Sequence, residues 1–498
     1  MKHARLIRAS VVAVALGAIL AYSAERLALA ETIYTYGNGS VLVNPWGAPP
    51  PPPPAAAPSF YYPGPTPQPA VTAVDPGVRG GPPGVGGPMP NVNPLQAKFY
   101  AAGREQFNQV EGVPDGLGPR FNSNSCASCH LQPAIGGTSP PQNPLFQIAR
   151  LDGAVNAIPW FIAPNGPIRE ARLRVNPDGT TNGNVHALFT IRGRRDAPGC
   201  NIQQFNFGLP GNPLTGLGGN PNVVFRIPTQ VFGAGLIEAI PDSVILANLA
   251  ANAGVKSSLG IGGRPNSILS GNVNRNGNDG TITRFGWKAQ NKSLLTFAGE
   301  AYNVEMGVTN ELFPDERDQN PTCLFNPTPE NTTRFGASDP TEVLADIVAF
   351  ANFMRLLAPP TPAPDTLSIV RGRAAFSTAG CAACHTPTLT TARKIPDINA
   401  ALPGQPVNLY SDLLVHNMGS YLADGISQGA AGPDEFRTAP LWGLGKRVFF
   451  LHDGRTSNLL EAITAHRSPG SEANTVIDRY YGMGSVTQQD LLNFLRSL

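Results

Sequence analysis

The sequence has almost no surplus of charge of either sign. It holds 36 lysines and arginines against 34 aspartates and glutamates, for a formal net charge of +2. The first 30 residues carry four basic residues and one acidic residue, a net +3, so the rest of the chain sums to −1. Proteins that bind nucleic acid or an anionic lipid surface usually carry an excess of basic residues, which this chain lacks. We therefore expect no nucleic acid partner.

The N-terminal apolar run is short for a membrane span. It covers residues 9–24 and ends at Glu25, whereas a spanning helix needs about 20 apolar residues. Basic residues precede the run, and Ala-Leu-Ala at residues 28–30 is typical of a signal-peptidase site. We predict that residues 1–30 are a cleaved signal peptide and that the protein is periplasmic or otherwise exported. An uncleaved segment would instead tether the chain to the membrane.

Cysteine is scarce, and four of the six cysteines lie in two C-x-x-C-H motifs. No further C-x-x-C is present to complete a zinc site. The motif is typical of covalent c-type haem attachment, in which both cysteines form thioethers and the histidine ligates the iron. A redox C-x-x-C with an accidental histidine is the alternative. We predict two covalently bound c-type haems, held by Cys126, Cys129 and His130 and by Cys381, Cys384 and His385.

The two remaining cysteines are Cys200 and Cys323, both in loops rich in Gly, Pro and Asn. In an oxidising compartment the economical interpretation is a disulfide between them. It would close a loop of about 120 residues and stabilise the fold by roughly 4–5 kcal/mol in the chain-entropy model. Two free thiols are the alternative.

A stretch rich in proline and glycine follows the predicted signal peptide. Pro49–Pro54 is an uninterrupted proline run, and Gly/Pro pairs continue to Pro88. Such a composition is extended or disordered and buries no core. We predict that residues 31–93 are a linker, either a spacer for the folded part or a tolerated low-complexity segment.

Apolar and small residues recur at helical spacing before each C-x-x-C-H motif. The positions are Phe99, Ala102, Gly103 and Phe107, then Ile369, Gly372, Arg373 and Phe376. We predict two cytochrome c-like haem domains, each opening with an amphipathic helix. The N-terminal domain spans residues 94–360 with a large loop insertion, and the C-terminal domain spans residues 361–498. The predicted fold class is mainly α, with long irregular loops and a few short strands.

The region between the motifs gives weaker signals. Residues 185–192 and 223–227 predict short strands, and residues 241–253 predict a helix. The clearest helix covers residues 339–357, with an aspartate at the N-cap, a proline at the first helical position and a proline pair just beyond its end.

Seven short segments carry a family likeness. They are RIPT (226–229), GAGLIE (233–238), FGW (285–287), NVEMG (303–307), FRTAPL (436–441), FLHDG (450–454) and LEAI (460–463). Together they resemble the bacterial di-haem cytochrome c peroxidase superfamily, especially its di-haem oxidoreductase branch. The resemblance covers about residues 95–498. It implies that electrons enter at the C-terminal haem and that hydrogen peroxide is reduced at the N-terminal haem.

The resemblance also implies roles for three residues. The distal ligand of the C-terminal haem falls fourteen residues after the FLHDG histidine, at His466, which would give bis-His iron of lower potential than His/Met iron. The glutamate that serves as acid and base for peroxide corresponds to Glu305. The tryptophan between the haems corresponds to Trp287. The alternatives are a surface histidine at a helix end for His466, a helix-surface charge for Glu305 and a core aromatic for Trp287. The superfamily's distal glutamine has no clear counterpart.

Two further residues are candidates for the distal side of the N-terminal haem. His186 lies among apolar residues, where it is either an iron ligand or a satisfied core histidine, and Met418 is the weaker candidate. The resemblance also implies a calcium ion bound by the backbone carbonyls of Thr438 and Pro440.

What occupies the distal sides decides between functions. An open N-terminal iron predicts a peroxidase-type oxidoreductase that takes electrons from a small redox donor protein or a quinol-linked cytochrome. Two six-coordinate irons predict a pure electron-transfer cytochrome. A di-haem oxygenase or maturation enzyme is a third hypothesis. The sequence leaves the oligomeric state open.

Overall fold

The structure is a computed structural model of the chain. It describes residues 72–209, 212–213, 221–267, 281–393 and 402–498, together with the backbone of residues 32–35 and 41–44. The described residues within 72–79 and 84–498 form one compact unit. Those within 32–35, 41–44 and 80–83 belong to another, in which Thr32–Thr35 pairs antiparallel with Val41–Asn44. The predicted signal peptide lies outside the described residues.

Helices dominate the larger unit. They are α1 Pro94–Asn108, α2 Cys126–Cys129, α3 Leu145–Ile148, α4 Ala234–Glu238, α5 Asp242–Ala250, α6 Ala253–Leu259, α7 Leu294–Met306, α8 Pro340–Val343, α9 Asp346–Leu356, α10 Leu367–Ala379, α11 Gly419–Leu422, α12 Leu459–Ala465, α13 Asn474–Tyr481 and α14 Ser485–Ser497. With 34% of residues in helices and 11% in strands, the predicted mainly α chain with short strands is confirmed.

The strands are short and form small antiparallel sheets. After β1 Thr32–Thr35 and β2 Val41–Asn44 they are β3 Arg120–Phe121, β4 Glu170–Leu173, β5 Val185–His186, β6 Phe189–Thr190, β7 Gly208–Leu209, β8 Asn212–Pro213, β9 Val223–Arg226, β10 Leu389–Thr390, β11 Pro406–Val407, β12 Val415–Asn417 and β13 Glu435–Arg437. In the three-stranded sheet, β4 lies between β5 and β9. The strand predicted at residues 223–227 is present, whereas the one predicted at 185–192 is divided between two sheets.

Each predicted amphipathic helix crosses a later helix at a glycine. Asn93 and Gln96 form a capping box at the start of α1. A Cβ at Gly103 would lie 2.3 Å from the carbonyl oxygen of Ala349 in α9. A Cβ at Gly372 in α10 would lie 1.9 Å from the carbonyl oxygen of Asp490 in α14. Both crossings therefore require glycine, and each one anchors the helix that leads into a C-x-x-C-H motif.

The helix predicted at residues 339–357 is in fact two helices. Asp339 caps α8 as expected, accepting from the Thr341 N–H, but Leu344 and Ala345 are extended. Asn331 explains the break, because its amide donates to the Asp346 carboxylate at 2.6 Å and accepts from the Ile347 N–H. The Asn331 side chain thus caps the start of a second helix, α9. This tertiary contact overrides the local helical propensity of the segment.

Two other expectations concern the periphery. Residues 72–93, predicted as linker without a core, bury Ala73 and Met89. The predicted disulfide is confirmed, since Cys200 and Cys323 are bonded and both are buried. Among the described residues, no helix combines the length and apolarity required to cross a membrane.

We predict that Gly372→Ala destabilises the fold by about 1–3 kcal/mol, because α10 and α14 must separate to admit a methyl group. The matched control is Gly254→Ala in α6, where a Cβ meets no atom within 4 Å, so higher helix propensity should stabilise by up to about 1 kcal/mol. Denaturant unfolding of both variants measures the difference. Equal stabilities would contradict the close crossing.

Candidate functional site

The first C-x-x-C-H motif borders a large cavity. Cys126, Cys129 and His130 line it, and it encloses about 1130 Å³, including its opening. The His130 Nδ1 lies 3.0 Å from the Gly137 carbonyl oxygen. With Nδ1 donating to this carbonyl oxygen, Nε2 is the nitrogen that would ligate a metal. Burial lowers the pKa of His130, which favours the neutral ring.

The second motif borders a second cavity of about 1400 Å³, which His385 and His466 both line. Their Nδ1 atoms lie 3.0 Å from the Tyr410 carbonyl oxygen and 2.7 Å from the Ala462 carbonyl oxygen. Both imidazoles are thus oriented by backbone carbonyls, with Nε2 free. Burial, with His466 nearby, lowers the pKa of His385 to about 4.

Two buried arginines indicate which kind of group the second cavity can hold. Arg437 and Arg447 both line it, and among the described residues the Nε of each has no hydrogen-bond partner. Burial lowers the pKa of both guanidinium groups to about 10. Buried charges in proteins are normally paired, so these two call for an anionic group in the cavity. The two propionates of a haem supply that charge, and the residues present therefore fit this prosthetic group.

One wall of the first cavity carries paired carboxyl groups. Glu170 and Glu305 both line it, near enough for a hydrogen bond between them when one of the two is protonated. Burial raises the pKa of Glu305 to about 8, and the charge of Glu170 adds to the effect. Burial alone would also raise the pKa of Glu170, but the nearby Arg172 and Arg226 outweigh it and lower that pKa. The Arg172 Nε lies 2.6 Å from the Glu170 carboxylate.

Trp287 lines both cavities. Its indole N–H donates to the Ile227 carbonyl oxygen at 2.8 Å, and the Arg447 guanidinium lies 5.9 Å from its ring centre. The ring is buried, with 8% of its surface exposed. A buried aromatic that forms part of both walls connects the two cavities through packed atoms.

A buried ionic cluster holds the segment around Trp287. Asp424 lies 2.6 Å from Arg226 and 3.3 Å from the Lys288 ammonium, and at most 2% of any of the three side chains is exposed. The Lys288 ammonium also lies 4.1 Å from the ring centre of Phe436, which lines the second cavity. Burial lowers the pKa of Lys288 to about 8, although Asp424 opposes the shift.

Residues 219–498 match the family model described as "Di-haem oxidoreductase, putative peroxidase". The match takes in 280 of the 498 residues, more than half of the chain. This chain belongs to the di-haem oxidoreductase family. Membership implies two haem cofactors. The matched range of the oxidoreductase includes the second C-x-x-C-H motif and begins after the first.

Two solved structures are similar to this chain in part. The diheme peroxidase BthA from Burkholderia thailandensis E264 is 17% identical with a TM-score of 0.28, over 43% of this chain and 65% of that one. The chain thus spans about two thirds of that peroxidase. A hydrazine synthase from Kuenenia stuttgartiensis is 14% identical with a TM-score of 0.34, over 87% of this chain and 100% of that one. Neither likeness carries an argument at such TM-scores. No curated protein matches the sequence.

The structure places the other predicted ligands of this oxidoreductase away from the first cavity. His186 is on β5, where its ring packs against Phe205 at 4.6 Å and its Nε2 lies 3.3 Å from the Asn182 side-chain oxygen. Burial lowers its pKa to about 4. Met418 lines the second cavity instead of the first. Neither residue is brought to the His130 motif.

The predicted calcium ligands are not brought to a shared carboxylate. The Thr438 carbonyl oxygen accepts from the Ser411 hydroxyl at 2.6 Å, and Pro440 lines a separate small cavity. Within the described part of the chain, no group of three or more His, Cys, Asp or Glu residues is placed to hold a metal ion. Calcium therefore stays a prediction, and nothing below depends on it.

Sequence reasoning did not identify Gln290 and Glu170. Gln290 lines the first cavity, and its buried Oε1 has no hydrogen-bond partner among the described residues. It fits there because Gly286 has no Cβ, which would lie 2.0 Å from that oxygen. The glycine in the FGW motif was the available signal. Glu170 gave none, because only the folding of β4 against β9 brings it to Glu305.

His416 is a further polar group beside the second cavity. Its ring nitrogens lie 2.9 Å from the Asp412 carboxylate and 2.7 Å from the Glu472 carboxylate. Burial alone would lower the pKa of His416, but its neighbours, including Cys384 and both carboxylates, raise it well above the usual value. His416 is therefore a structural cation at the wall, with both of its ring nitrogens engaged.

We predict that Asp424→Asn destabilises the fold by about 3–5 kcal/mol, because it leaves two buried cations without their carboxylate. Asp478→Asn is the matched control. Its partner is Arg467, and with 55% of the Asp478 side chain exposed the loss should stay below about 1 kcal/mol. Urea unfolding of the two variants checks this, and a similar small loss in both would contradict the role of the buried cluster.

Proposed function

We propose that this chain is an exported, peroxidase-type di-haem c-type cytochrome that reduces hydrogen peroxide. Electrons enter at the His385/His466 site, pass Trp287 and reach the His130 site, where H₂O₂ + 2 H⁺ + 2 e⁻ gives 2 H₂O. The observation that carries the proposal is the contrast between the cavities: two imidazoles whose Nδ1 atoms lie on backbone carbonyl oxygens line the second, whereas one such imidazole and a carboxyl pair line the first. The haem irons supply the redox chemistry when bound.

The cysteines of both motifs would hold the haems covalently. In each motif the backbone N–H of the histidine donates to the carbonyl oxygen of the first cysteine, at 3.0 Å for His130 and 2.9 Å for His385. This turn supports the proposal because it presents both sulfurs and the imidazole toward one cavity. Haem attachment of this kind and the predicted signal peptide agree with a periplasmic location.

The second site would serve as a closed relay. His385 and His466 have matching Nδ1 anchors, and bis-His iron suits electron transfer because no ligand position is left open. The electron donor would be a small redox protein or a quinol-linked cytochrome. Trp287 would carry electrons onward, since it is part of both cavity walls.

At the first site, Glu305 would serve as acid and base. Breaking the O–O bond of peroxide requires a proton to leave one oxygen and reach the other, which a positioned carboxyl group promotes. Glu305 lines the cavity beside Gln290, whose unpaired side-chain oxygen would accept a hydrogen bond from peroxide. The two residues would supply polar contacts to a bound peroxide.

The alternative is an electron-transfer cytochrome with both irons six-coordinate. The observation that favours it is Met354, a thioether that lines the first cavity. Electronic and EPR spectra of the oxidised and half-reduced protein, with and without peroxide, separate the two functions. A high-spin haem that reacts with peroxide supports the oxidoreductase, whereas two low-spin haems unchanged by peroxide support the carrier.

We predict that His466→Ala converts the second haem from low-spin to high-spin, because its iron loses the distal ligand. EPR of the oxidised protein measures the change. His452→Ala is the control: this histidine lines the same cavity but packs face to face on Phe436 at 4.3 Å, so the spin state should persist. An unaltered spectrum in His466→Ala refutes the ligand assignment.

We predict that Glu305→Gln slows peroxide turnover by about 10²-fold or more, since the amide neither accepts nor releases the proton. Steady-state peroxide consumption measures the rate. Glu300→Gln is the control, because Glu300 is on the same helix and bonds to Asn291. A loss under about twofold in Glu305→Gln removes this residue from the mechanism.

A further inference from the structure

We propose that Glu170 and Glu305 act as one proton-relaying carboxyl pair, in which Glu170 accepts the proton that Glu305 passes on. The inference rests on the proposed peroxide chemistry and adds a second acid/base residue to it. It addresses a difficulty in assigning the role to Glu305 alone. A lone carboxyl group that is already protonated at neutral pH cannot accept the proton that peroxide must lose.

The two carboxyl groups come from rigid and separate elements. Glu170 begins β4, where it is paired in register with Arg226 of β9. Glu305 lies near the end of α7, and its carbonyl oxygen accepts from the backbone N–H of Asn122 at 2.7 Å. Both side chains line the first cavity, near enough for a hydrogen bond between them. Sheet and helix therefore hold the pair at the cavity wall without help from a flexible loop.

Asn122 fixes where the shared proton lies. Its side-chain oxygen accepts from the Leu188 N–H at 2.7 Å, which orients its NH₂ group as a donor to the Glu305 Oε2, also at 2.7 Å. That oxygen is thereby kept as an acceptor. A proton on Glu305 must lie on the other oxygen, and from there it can pass to Glu170.

The charges around the pair favour a proton on Glu305 and an ionised Glu170. The groups that face them are Arg172 on β4, Arg226 on β9, Glu300 on α7, Arg317 beyond α7, and Cys126 and Cys129 of the haem motif. Burial raises the pKa of Glu300. With Glu170 ionised and Glu305 protonated up to about pH 8, the pair holds one proton and one vacancy throughout the neutral range.

This state permits proton transfer in both directions. As one peroxide oxygen releases its proton to Glu305, the proton already on Glu305 moves to Glu170. The reverse transfer delivers a proton to the other peroxide oxygen, the O–O bond breaks and water leaves. The pair ends as it began. The redox donor supplies two electrons, one at a time, through the His385/His466 site, and with two protons from solvent they convert the remaining oxygen atom to the second water.

The pH dependence of the reaction tests the relay. Half-reduced holoprotein is mixed with hydrogen peroxide between about pH 5 and pH 8, and the rate is followed by stopped-flow absorbance. Glu170→Gln removes the carboxylate that accepts a proton. Glu305 must then itself be ionised before it can take a proton from peroxide. We expect the rate of this variant to fall by about tenfold per pH unit below the new pKa of Glu305, so that the ratio of wild-type to variant rate grows as the pH falls.

Three variants complete the test. Arg172→Gln removes the cation that keeps Glu170 ionised, so it should also slow the reaction preferentially at acid pH. Glu170→Asp keeps a carboxylate, and Glu300→Gln alters a carboxyl group that is not part of the cavity lining. Both should follow the pH profile of the wild type. If the rate ratios of Glu170→Gln and Arg172→Gln are independent of pH, the relay is wrong and the proposed peroxidase remains.

Infrared titration gives a readout without turnover. The wild type should show a protonated carboxylic acid that titrates near pH 8, that disappears in Glu305→Gln, and that titrates at lower pH in Glu170→Gln because a neighbouring charge is gone. The buried Glu111, whose pKa is also raised to about 8, should give a band that neither substitution alters. If the band that is lost in Glu305→Gln titrates identically in wild type and Glu170→Gln, the pair is wrong. A wild type that fails to react with peroxide at any pH overturns the proposed function, and the relay with it.

Discussion

The buried cluster of Arg226, Asp424 and Lys288 is the interaction on which the arrangement of the two cavities depends. Arg226 lines the first cavity, while Lys288 lies over Phe436, which lines the second. One carboxylate therefore ties the two walls together. Desolvating three charges is costly, and such a cluster persists only with good geometry and further hydrogen bonds. Lys288 has these, since it donates to the carbonyl oxygens of Gly432 and Glu435, each at 2.8 Å.

The position of Trp287 follows from this cluster. Its neighbour Lys288 is held by the ion pairs, and its own indole N–H is bound to Ile227, the residue after Arg226. The ring thus has little freedom to turn. A tryptophan fixed between two cavities provides a constant path of packed atoms, which suits electron transfer better than a ring that changes orientation. The carboxyl pair on β4 and α7 is held with similar firmness, because its register on the sheet also involves Arg226.

Features whose causes are local could be predicted from the sequence. The C-x-x-C-H chemistry depends on five consecutive residues, the helices before the motifs follow from the spacing of their apolar residues, and the start of α8 follows from its cap, Asp339. Features that depend on distant residues could not. The break before Asp346 needs Asn331, and the partnership of Glu170 with Glu305 needs a strand register. The same limit applies to His186. Its apolar neighbours in sequence are compatible both with an iron ligand and with a ring packed on Phe205, which is what the structure shows.

The backbone contacts of the two motif histidines have a wider consequence. His130 and His385 each direct Nδ1 at a main-chain carbonyl oxygen, of Gly137 and Tyr410 respectively. The partner of an axial imidazole adjusts its basicity and so the reduction potential of the metal it binds. A carboxylate partner would titrate and could be lost by a single substitution. A peptide carbonyl does not titrate and is not removed by a substitution. The effect of this hydrogen bond on the reduction potential of each centre is therefore set by the course of the backbone and does not change with pH.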